Sequence, residues 1–384
     1  MLLDIKMKNA SKKIDTIIAF AIFIQSLLVV IQQTMIMVLH YESETTTVYR
    51  IAITAIAMVI AIIFSVKRKP KLFFITYLIA VVIILLHFEF FPDNQEYISY
   101  NITRFLLPVV IPSALCTICI KDITVINKVL KVISWSIVLI MAFYIYSYMK
   151  GLVVGNSEYN MSLSYGLLLP GLFLYSNKKI YSIIASIFLF LCILILGARG
   201  PMIAFLIFIA YDIVQSNKKM IFPVAILAII VIGGMSTIME FFGRLGFQSR
   251  TLNMFATGDF SSSSGRDEIY NKMINVMWDH PFGIGIFGDR VYLNGLYCHN
   301  IFLEIALNFG LIVFLGILVY SIVKFVKVYK ASNKVYRNIL VLFLVVGFIP
   351  LLISGSYLTD YNLGLFIGIL TLIAKQDVSC VKHA

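Results

Sequence analysis

The sequence predicts an all-α polytopic membrane protein with about twelve transmembrane helices. Of its 384 residues, 60% are hydrophobic and 13% are charged, against roughly 25% charged residues in soluble domains. The mean hydropathy of +0.95 excludes both a soluble domain and a solvated disordered chain. Long apolar runs such as Ile221–Ile232 lack the period of two that barrel strands show, so the spans are expected to be helices.

A helix needs about 20 apolar residues to cross the hydrocarbon core of a bilayer. The expected spans are 14–39, 48–66, 72–91, 100–120, 123–149, 162–176, 180–198, 201–215, 220–238, 300–323, 336–354 and 361–374. The first is interpreted as a retained helix, because it lacks the short apolar segment and small-residue cleavage site of a signal peptide. Together the spans predict a single integral membrane domain over residues 1–384.

Basic residues alternate between successive connections. The termini and every second connection hold 22 of the 31 Lys and Arg residues, whereas the opposite set holds 9. The positive-inside rule therefore predicts that both termini face the cytoplasm. The net charge of +12 then reflects topology rather than nucleic-acid binding. The odd number of cysteines, five, predicts no disulfide framework.

One external connection, residues 239–298 between the ninth and tenth spans, is 60 residues long. Loops of this length are usually functional or disordered. A Ser-rich stretch, Ser261–Ser264, is followed by a helical pattern, which favours a lid with a hinge. The loop also holds five basic residues on the side that the positive-inside rule disfavours: Arg244, Arg250, Arg266, Lys272 and Arg290.

Arg266 is the first candidate for substrate binding. Ser264 is expected to cap the helix that follows, with Asp267 completing a capping-box-like start. The apolar positions of this helix are Ile269, Met273, Val276 and Met277, with Trp278 next. They predict an amphipathic helix at the outer membrane interface, with Arg266 in its first turn. Free backbone N–H groups there favour a phosphate ligand, although binding to lipid headgroups would explain the same arginine.

Two further arginines lie where the positive-inside rule disfavours them. Arg199 stands in a tight outer turn before Pro201, which suits the first position of the next helix, so Arg199 is expected at a helix N-terminus. A snorkelling anchor is the alternative. Arg104 lies inside the fourth span, before prolines that should kink it. It is either a third anion contact or paired with Glu89 or Glu304.

His299 is an external histidine at the start of the tenth span, beside the cationic loop. A neutral imidazole in this position can accept a proton from a hydroxyl group, although an interfacial histidine is the alternative. Asn300, Glu304 and Asn308 continue at four-residue spacing as a polar stripe. Such a stripe indicates either a wet cavity or polar packing between helices. Asn300, Glu304 and Arg290 are therefore further candidates for substrate binding.

Four segments, in chain order between about residues 196 and 316, resemble the bacterial O-antigen ligase and O-antigen polymerase superfamily. They are Gly197-Ala198-Arg199-Gly200-Pro201-Met202, Ser264-Gly265-Arg266, His280-Pro281-Phe282-Gly283-Ile284-Gly285, and His299-Asn300 followed after nine residues by Gly310. Val313 stands where the family pattern often has a small or hydroxyl residue. The glycine-containing segment supports a turn-making role for His280.

The resemblance implies a GT-C-like fold, an extracytoplasmic active site and a glycosyltransferase that needs no cofactor and no metal. It implies that His299 is the catalytic base and that Arg199 and Arg266 bind a polyprenyl diphosphate. The expected reaction is polymerisation of lipid-linked repeat units for O-antigen, capsule or exopolysaccharide. Donor and acceptor would both be polyprenyl-diphosphate-linked glycans such as undecaprenyl-linked ones, with a flippase and a chain-length regulator as partners.

Two alternatives remain at the level of sequence. Ligation of the glycan to a lipid or protein acceptor would use the same site. A lipid-linked-oligosaccharide flippase or another transporter belongs to a different class. Transporters commonly show two related halves with broken helices in corresponding places. This chain shows no such repeat, and its polar features concentrate in one late loop, which favours an enzyme.

Overall fold

A computed structural model describes residues 2–153, 159–216, 237 and 265–381. Within these ranges the secondary structure is helical and no strand occurs, which confirms the all-α class. The predicted ninth span, residues 220–238, falls almost entirely outside the described residues. The Ser-rich hinge, Arg244 and Arg250 lie outside them as well.

Nine α-helices of the described residues precede the long loop. They are α1 (Leu2–Leu39), α2 (Ser43–Arg68), α3 (Pro70–Phe90), α4 (Gln95–Asn101), α5 (Ile111–Cys119), α6 (Ile123–Met149), α7 (Met161–Ser176), α8 (Ile180–Ile195) and α9 (Arg199–Ser216). Within the described part of the chain, six more follow: α10 (Arg266–Asp279), α11 (Gly288–Tyr292), α12 (Ile301–Phe309), α13 (Leu311–Ala331), α14 (Lys334–Phe348) and α15 (Tyr361–Val381).

Among the described residues, seven helical segments are long and apolar enough to cross a membrane. They are Asn9–Leu39, Ser43–Arg68, Pro70–Phe90, Pro92–Cys119, Ile123–Met149, Leu311–Ala331 and Lys334–Leu352. Three shorter apolar helices, Met161–Ser176, Ile180–Ile195 and Tyr361–Gln376, lie at predicted spans. The chain is therefore a multi-pass membrane protein, and the number of twelve spans stays a prediction.

The prediction that the tenth span is a single helix is wrong. Residues 300–323 divide at Gly310, which has a φ of +82° and separates α12 from α13. The apolar sequence continues on both sides of this glycine, so hydropathy alone gives no sign of the break. The short helix α12 is consequently a distinct element that follows directly after His299.

A second correction concerns α9. The helix begins at Arg199, two residues earlier than expected, so Pro201 occupies its third position rather than its first. The predicted fourth span is not one continuous α-helix, and the kink expected from its prolines stays a prediction. Residues Ile102–Val110 form a π-helical segment that contains Pro108 and also carries Arg104.

The described contacts group the chain into two compact units. One comprises Met1–Ala57 with Asp122–Ser261, and the other Met58–Lys121 with Ser262–Ala384. In the first unit, α1 packs along α6 and α7, and α7 packs on α8. Its core includes the fully buried residues Ile22, Phe205 and Tyr144.

In the second unit, α15 packs against both α5 and α14. Gly364 and Gly368 of α15 face Ser113 and Thr117 of α5 so closely that neither has room for a Cβ. Small residues at such a contact let two membrane helices approach closely. At one end of this unit, Asn94 donates to the carbonyl oxygen of Ile284 at 2.8 Å, which joins the short connection after α3 to the long loop.

Candidate active site

His299 is held in an unusual backbone conformation between two anchored neighbours. Its φ is +54°, a left-handed value that few residues other than glycine adopt. Before it, the Cys298 N–H donates to Asp289 Oδ2 at 3.0 Å. After it, Asn300 caps α12 by accepting from the N–H groups of Phe302 and Leu303 at 3.0 and 3.3 Å. Because strained conformations persist only where the surroundings fix them, these anchors hold the backbone of His299 in its left-handed conformation.

The imidazole of His299 is half-buried and lies against an aromatic ring. The centroids of Tyr297 and His299 are 4.1 Å apart. The Nδ1 atom is buried and has no hydrogen-bond partner among the described residues. Buried polar atoms in native proteins normally have a partner, so this nitrogen is a candidate contact for a bound molecule.

Burial, and then the positive charges of Arg266 and Arg290, lower the pKa of His299 to about 4. Both effects disfavour the charged form of an imidazole. The ring is therefore neutral at pH 7 and has a nitrogen lone pair available to accept a proton. This electrostatic setting matches the sequence-based expectation of a neutral histidine beside a cationic loop.

Arg266 is the first residue of α10 and is half-buried. Among the described residues the N-cap position is held by Gly265, with a φ of +69°. Ser264, the expected cap, lies outside the described residues. The N–H groups of a first helical turn have no partner within the helix and can bind an anion. A guanidinium group beside them is well suited to a phosphate.

The predicted apolar face of α10 is confirmed, and it packs on protein. Met273 and Val276 are buried in a cluster with Ile284, Leu293, Cys298 and Leu307, while Ile269 and Met277 contact the cluster. This packing fixes Arg266 on the same scaffold as His299. Trp278 lies outside the cluster and is 66% exposed, as an interfacial helix requires. The position of α10 at a membrane surface stays a prediction.

Arg290 lies at the centre of a buried polar group that we call the Arg290 cluster: Asp289, Arg290, Glu304 and Ser356. Its guanidinium group donates to Asp289 Oδ1 at 2.7 Å, to Ser356 Oγ at 2.9 Å and to Glu304 Oε1 at 3.4 Å. Its side chain is only 4% exposed and lies over the Phe287 ring, 4.5 Å from the centroid. The cluster ties α11, α12 and the 355–357 turn together beside His299.

Glu304 is fully buried and accepts hydrogen bonds from Ser356 Oγ and from the backbone N–H of Tyr357, the latter at 3.2 Å. Burial, with the Asp289 carboxylate next, raises the pKa of Glu304, and the Arg290 charge opposes this rise. Asn308 is also buried and donates to the Tyr357 hydroxyl at 2.8 Å. Of the two interpretations of the polar stripe, these contacts favour packing over a wet cavity.

Two glycines, Gly283 and Gly310, let the 280–284 turn lie close to the end of α12. Gly283, with a φ of +94°, lies so close to the chain at Gly310 that a Cβ on it would be 2.7 Å from the Gly310 nitrogen. The Ile284 N–H donates to the Leu307 carbonyl oxygen at 2.7 Å, which holds the 280–284 turn against the end of α12. His280 lies exposed in this turn and hydrogen-bonds to the Tyr292 hydroxyl at 3.2 Å, in agreement with a turn-making role.

Six of the predicted site residues belong to one unit: Arg104, Arg266, Arg290, His299, Asn300 and Glu304. Arg199 lies in the other unit, half-buried at the first position of α9. Arg104 is exposed and stacks on the Tyr100 ring at 3.9 Å. The carboxylate proposed as one of its partners, Glu304, pairs with Arg290 instead.

Sequence reasoning missed several side chains that build this site. Asp289, Ser356 and Tyr357 hold the Arg290 cluster, and His87 accepts the Ile286 N–H at Nδ1, 3.0 Å away. Asp289 adjoins Arg290, and that pair was a usable signal for a local ion pair. The other contacts join residues 52 to 199 positions apart, for which a single sequence carries no indication.

A comparison with protein families now adds to this geometry. Residues 184–318 match the O-antigen ligase family model. The match covers about a third of the chain and includes Arg199, Arg266, Arg290, His299 and Glu304. No curated protein and no solved structure matches the chain. The match agrees with the resemblance to the O-antigen ligase and polymerase superfamily, and it indicates an enzyme that transfers glycans within a membrane.

Proposed function

We propose that the protein polymerises lipid-linked oligosaccharide repeat units at the outer face of the bacterial plasma membrane. The growing glycan on a polyprenyl diphosphate is transferred to a hydroxyl group of the next lipid-linked unit. The observation that carries this proposal is His299: a neutral, half-buried imidazole with an unpartnered Nδ1, next to a cation at a helix N-terminus. This arrangement suits a base placed beside a diphosphate.

In the proposed reaction, the acceptor hydroxyl oxygen attacks the anomeric carbon of the donor sugar. The bond from that carbon to the diphosphate oxygen breaks, and the hydroxyl proton passes to His299. Arg266 stabilises the charge that develops on the leaving diphosphate, and Arg199 is proposed to add a second contact. Fixed cations and helix N–H groups supply the stabilisation for which other glycosyltransferases use a metal ion, so no metal is required.

The Arg290 cluster supports this reaction by positioning. The polar groups of Arg290 and Glu304 are bonded within the protein, and the Asn300 side-chain oxygen caps α12. Their predicted role as substrate contacts stays untested, whereas their contacts fix the backbone on both sides of His299. Arg104, which is exposed, remains a proposed substrate contact.

Ligation of a finished glycan to a lipid or protein acceptor is the second candidate, because the matching family model is described as O-antigen ligase. The two reactions share donor, base and leaving group and differ only in the acceptor. The Arg266 and His299 arrangement is common to both. The concentration of these groups in one loop favours either transferase over a flippase.

The glycan pattern of cells that carry His299→Ala tests the proposal. Loss of a polymerase leaves single repeat units on the final acceptor, seen as the loss of the ladder on a gel. Loss of a ligase leaves full-length chains on the lipid carrier, and loss of a flippase removes all surface glycan. His280→Ala, a change of an exposed histidine in the same loop, is the matched control and should leave a normal ladder.

A further inference from the structure

A pocket of about 440 Å³ lies where α2 ends and α3 begins, and its lining is strongly basic. We call it the basic pocket; the residues that line it are Arg68, Lys69, Pro70, Lys71, Leu72 and Lys375. Four of these six carry a positive charge and none is acidic. All belong to the second compact unit, and they do not overlap the residues around His299.

The four cations that line the basic pocket repel one another. Burial, and then the charge of Lys375, lower the pKa of the Lys69 ammonium, and Arg68 and Lys121 act in the same direction. The four cations surround a common space, and an anion bound there would offset their mutual repulsion.

Two of the four cations also bind carbonyl groups at the end of α5. Lys69 Nζ donates to the Ile118 carbonyl oxygen at 2.6 Å, and an Arg68 guanidinium nitrogen donates to the Cys119 carbonyl oxygen at 2.9 Å. These bonds satisfy the last carbonyl groups of α5. Lys71 and Lys375 are exposed at the pocket and are the cations most available to a ligand.

The helix next to the basic pocket presents an apolar surface that begins within one turn of it. On α3, Phe74, Ile75 and Leu78 are 69%, 53% and 51% exposed. In a membrane protein such side chains face acyl chains. A basic pocket continuous with an acyl-facing helix matches the two parts of a phospholipid, a phosphate headgroup and a hydrocarbon tail.

We propose that the basic pocket binds the phosphate of an acidic phospholipid from the adjacent leaflet, with the acyl chains along α3. By the distribution of basic residues this leaflet is the cytoplasmic one. A free phosphate ion offers the same headgroup chemistry, but it leaves the exposed face of α3 without a partner. The inference is independent of the transferase reaction, because it uses none of the residues assigned to it.

The test uses the full-length protein in nanodiscs of phosphatidylcholine with a minor fraction of phosphatidylglycerol. Native mass spectrometry counts the acidic lipids that stay bound after release. Lys71→Gln with Lys375→Gln removes two cations while leaving the Lys69 and Arg68 bonds to α5. The matched control is Lys324→Gln with Lys327→Gln, near the end of α13, since it removes the same charge from another basic helix end.

At about 1 kcal/mol per basic residue near a membrane surface, losing two cations should weaken retention on the order of 30-fold. The control pair should stay within about threefold of wild type. Equal losses in both double variants would overturn the inference, because diffuse surface charge would then explain retention. Displacement of the bound phosphatidylglycerol by millimolar inorganic phosphate would overturn the lipid as ligand. Melting temperatures in pure phosphatidylcholine verify that both variants are folded.

Discussion

Replacement of Arg290 by methionine tests whether the Arg290 cluster holds this part of the protein together. Methionine keeps most of the volume and removes the charge and the hydrogen bonds to Asp289, Ser356 and Glu304. The Asp289 side chain is fully buried, so its carboxylate would lose its counter-ion in a medium of low dielectric constant. Breaking one partner of a buried ion pair typically costs about 3–5 kcal/mol.

The expected loss converts to a change in melting temperature. An unfolding entropy of about 2.1 cal/mol/K per residue gives roughly 0.8 kcal/mol/K for 384 residues. The Arg290→Met protein should therefore melt about 4–6 °C below wild type in the same detergent. Arg104→Met is the matched control: this arginine is exposed and stacks on Tyr100, so its loss should cost less than about 1 kcal/mol.

A double-mutant cycle separates the ion pair from general loss of packing. Asp289→Asn keeps an acceptor for the Cys298 N–H but removes the negative charge. Combined with Arg290→Met, it should cost clearly less than the sum of the single changes, with a coupling energy of about 1–3 kcal/mol. Additive effects, or an Arg290→Met protein as stable as Arg104→Met, would refute the assignment of a buried ion-pair cluster.

Three further predictions follow from the same residues. Because the pKa of His299 is about 4, roughly 97% of the imidazole is neutral at pH 5.5. The value of kcat/KM for polymerisation should therefore barely fall between pH 7 and pH 5.5. A histidine with a pKa of 6.5 would be only about 9% neutral at pH 5.5, and kcat/KM would fall accordingly. Arg266→Lys should retain more activity than Arg266→Ala but less than wild type, since lysine cannot bind a phosphate in bidentate fashion; full activity of the lysine variant in the same assay would contradict a specific phosphate contact. Gly310→Ala should lower the melting temperature, because a Cβ there lies 2.6 Å from the Phe282 carbonyl carbon at a φ of +82°, whereas Gly316→Ala, with open space around it, should be neutral or stabilising.

The sequence predicted those features that depend on neighbours along the chain. Hydropathy located the long apolar helices, and the helical spacing of Met273 and Val276 identified the buried face of α10. The alternation of basic residues placed the connection after α3 and the long loop on the same side. The hydrogen bond from Asn94 to Ile284 is consistent with that assignment. The sequence also placed Arg199 and Arg266 at the starts of helices.

What the sequence did not predict depends on close approach and on distant partners. The helix break at Gly310 follows from its contact with the 281–283 turn, which an uninterrupted apolar pattern conceals. The burial of Arg290 depends on Ser356, a residue 66 positions away. For this reason the sequence predicted Arg290 and Glu304 as substrate contacts from their charge. In the structure their side chains are bonded to each other.

The proton transfer to His299 is the central claim, and a reconstituted polymerisation assay measures it most directly. The variant is His299→Asn, because asparagine tolerates the left-handed backbone at this position but cannot act as a base. His280→Ala is the control. Purified proteins receive lipid-linked repeat units with a chelator present, and donor binding is measured in parallel.

General-base assistance is typically worth about 10²–10⁴ in rate, so His299→Asn should lose about that factor in turnover. Its affinity for the donor should stay within about threefold of wild type, because the arginines bind the diphosphate. Wild type and His280→Ala should polymerise in the presence of the chelator. Turnover of His299→Asn near the wild-type rate, or loss of wild-type activity on chelation, would contradict the account.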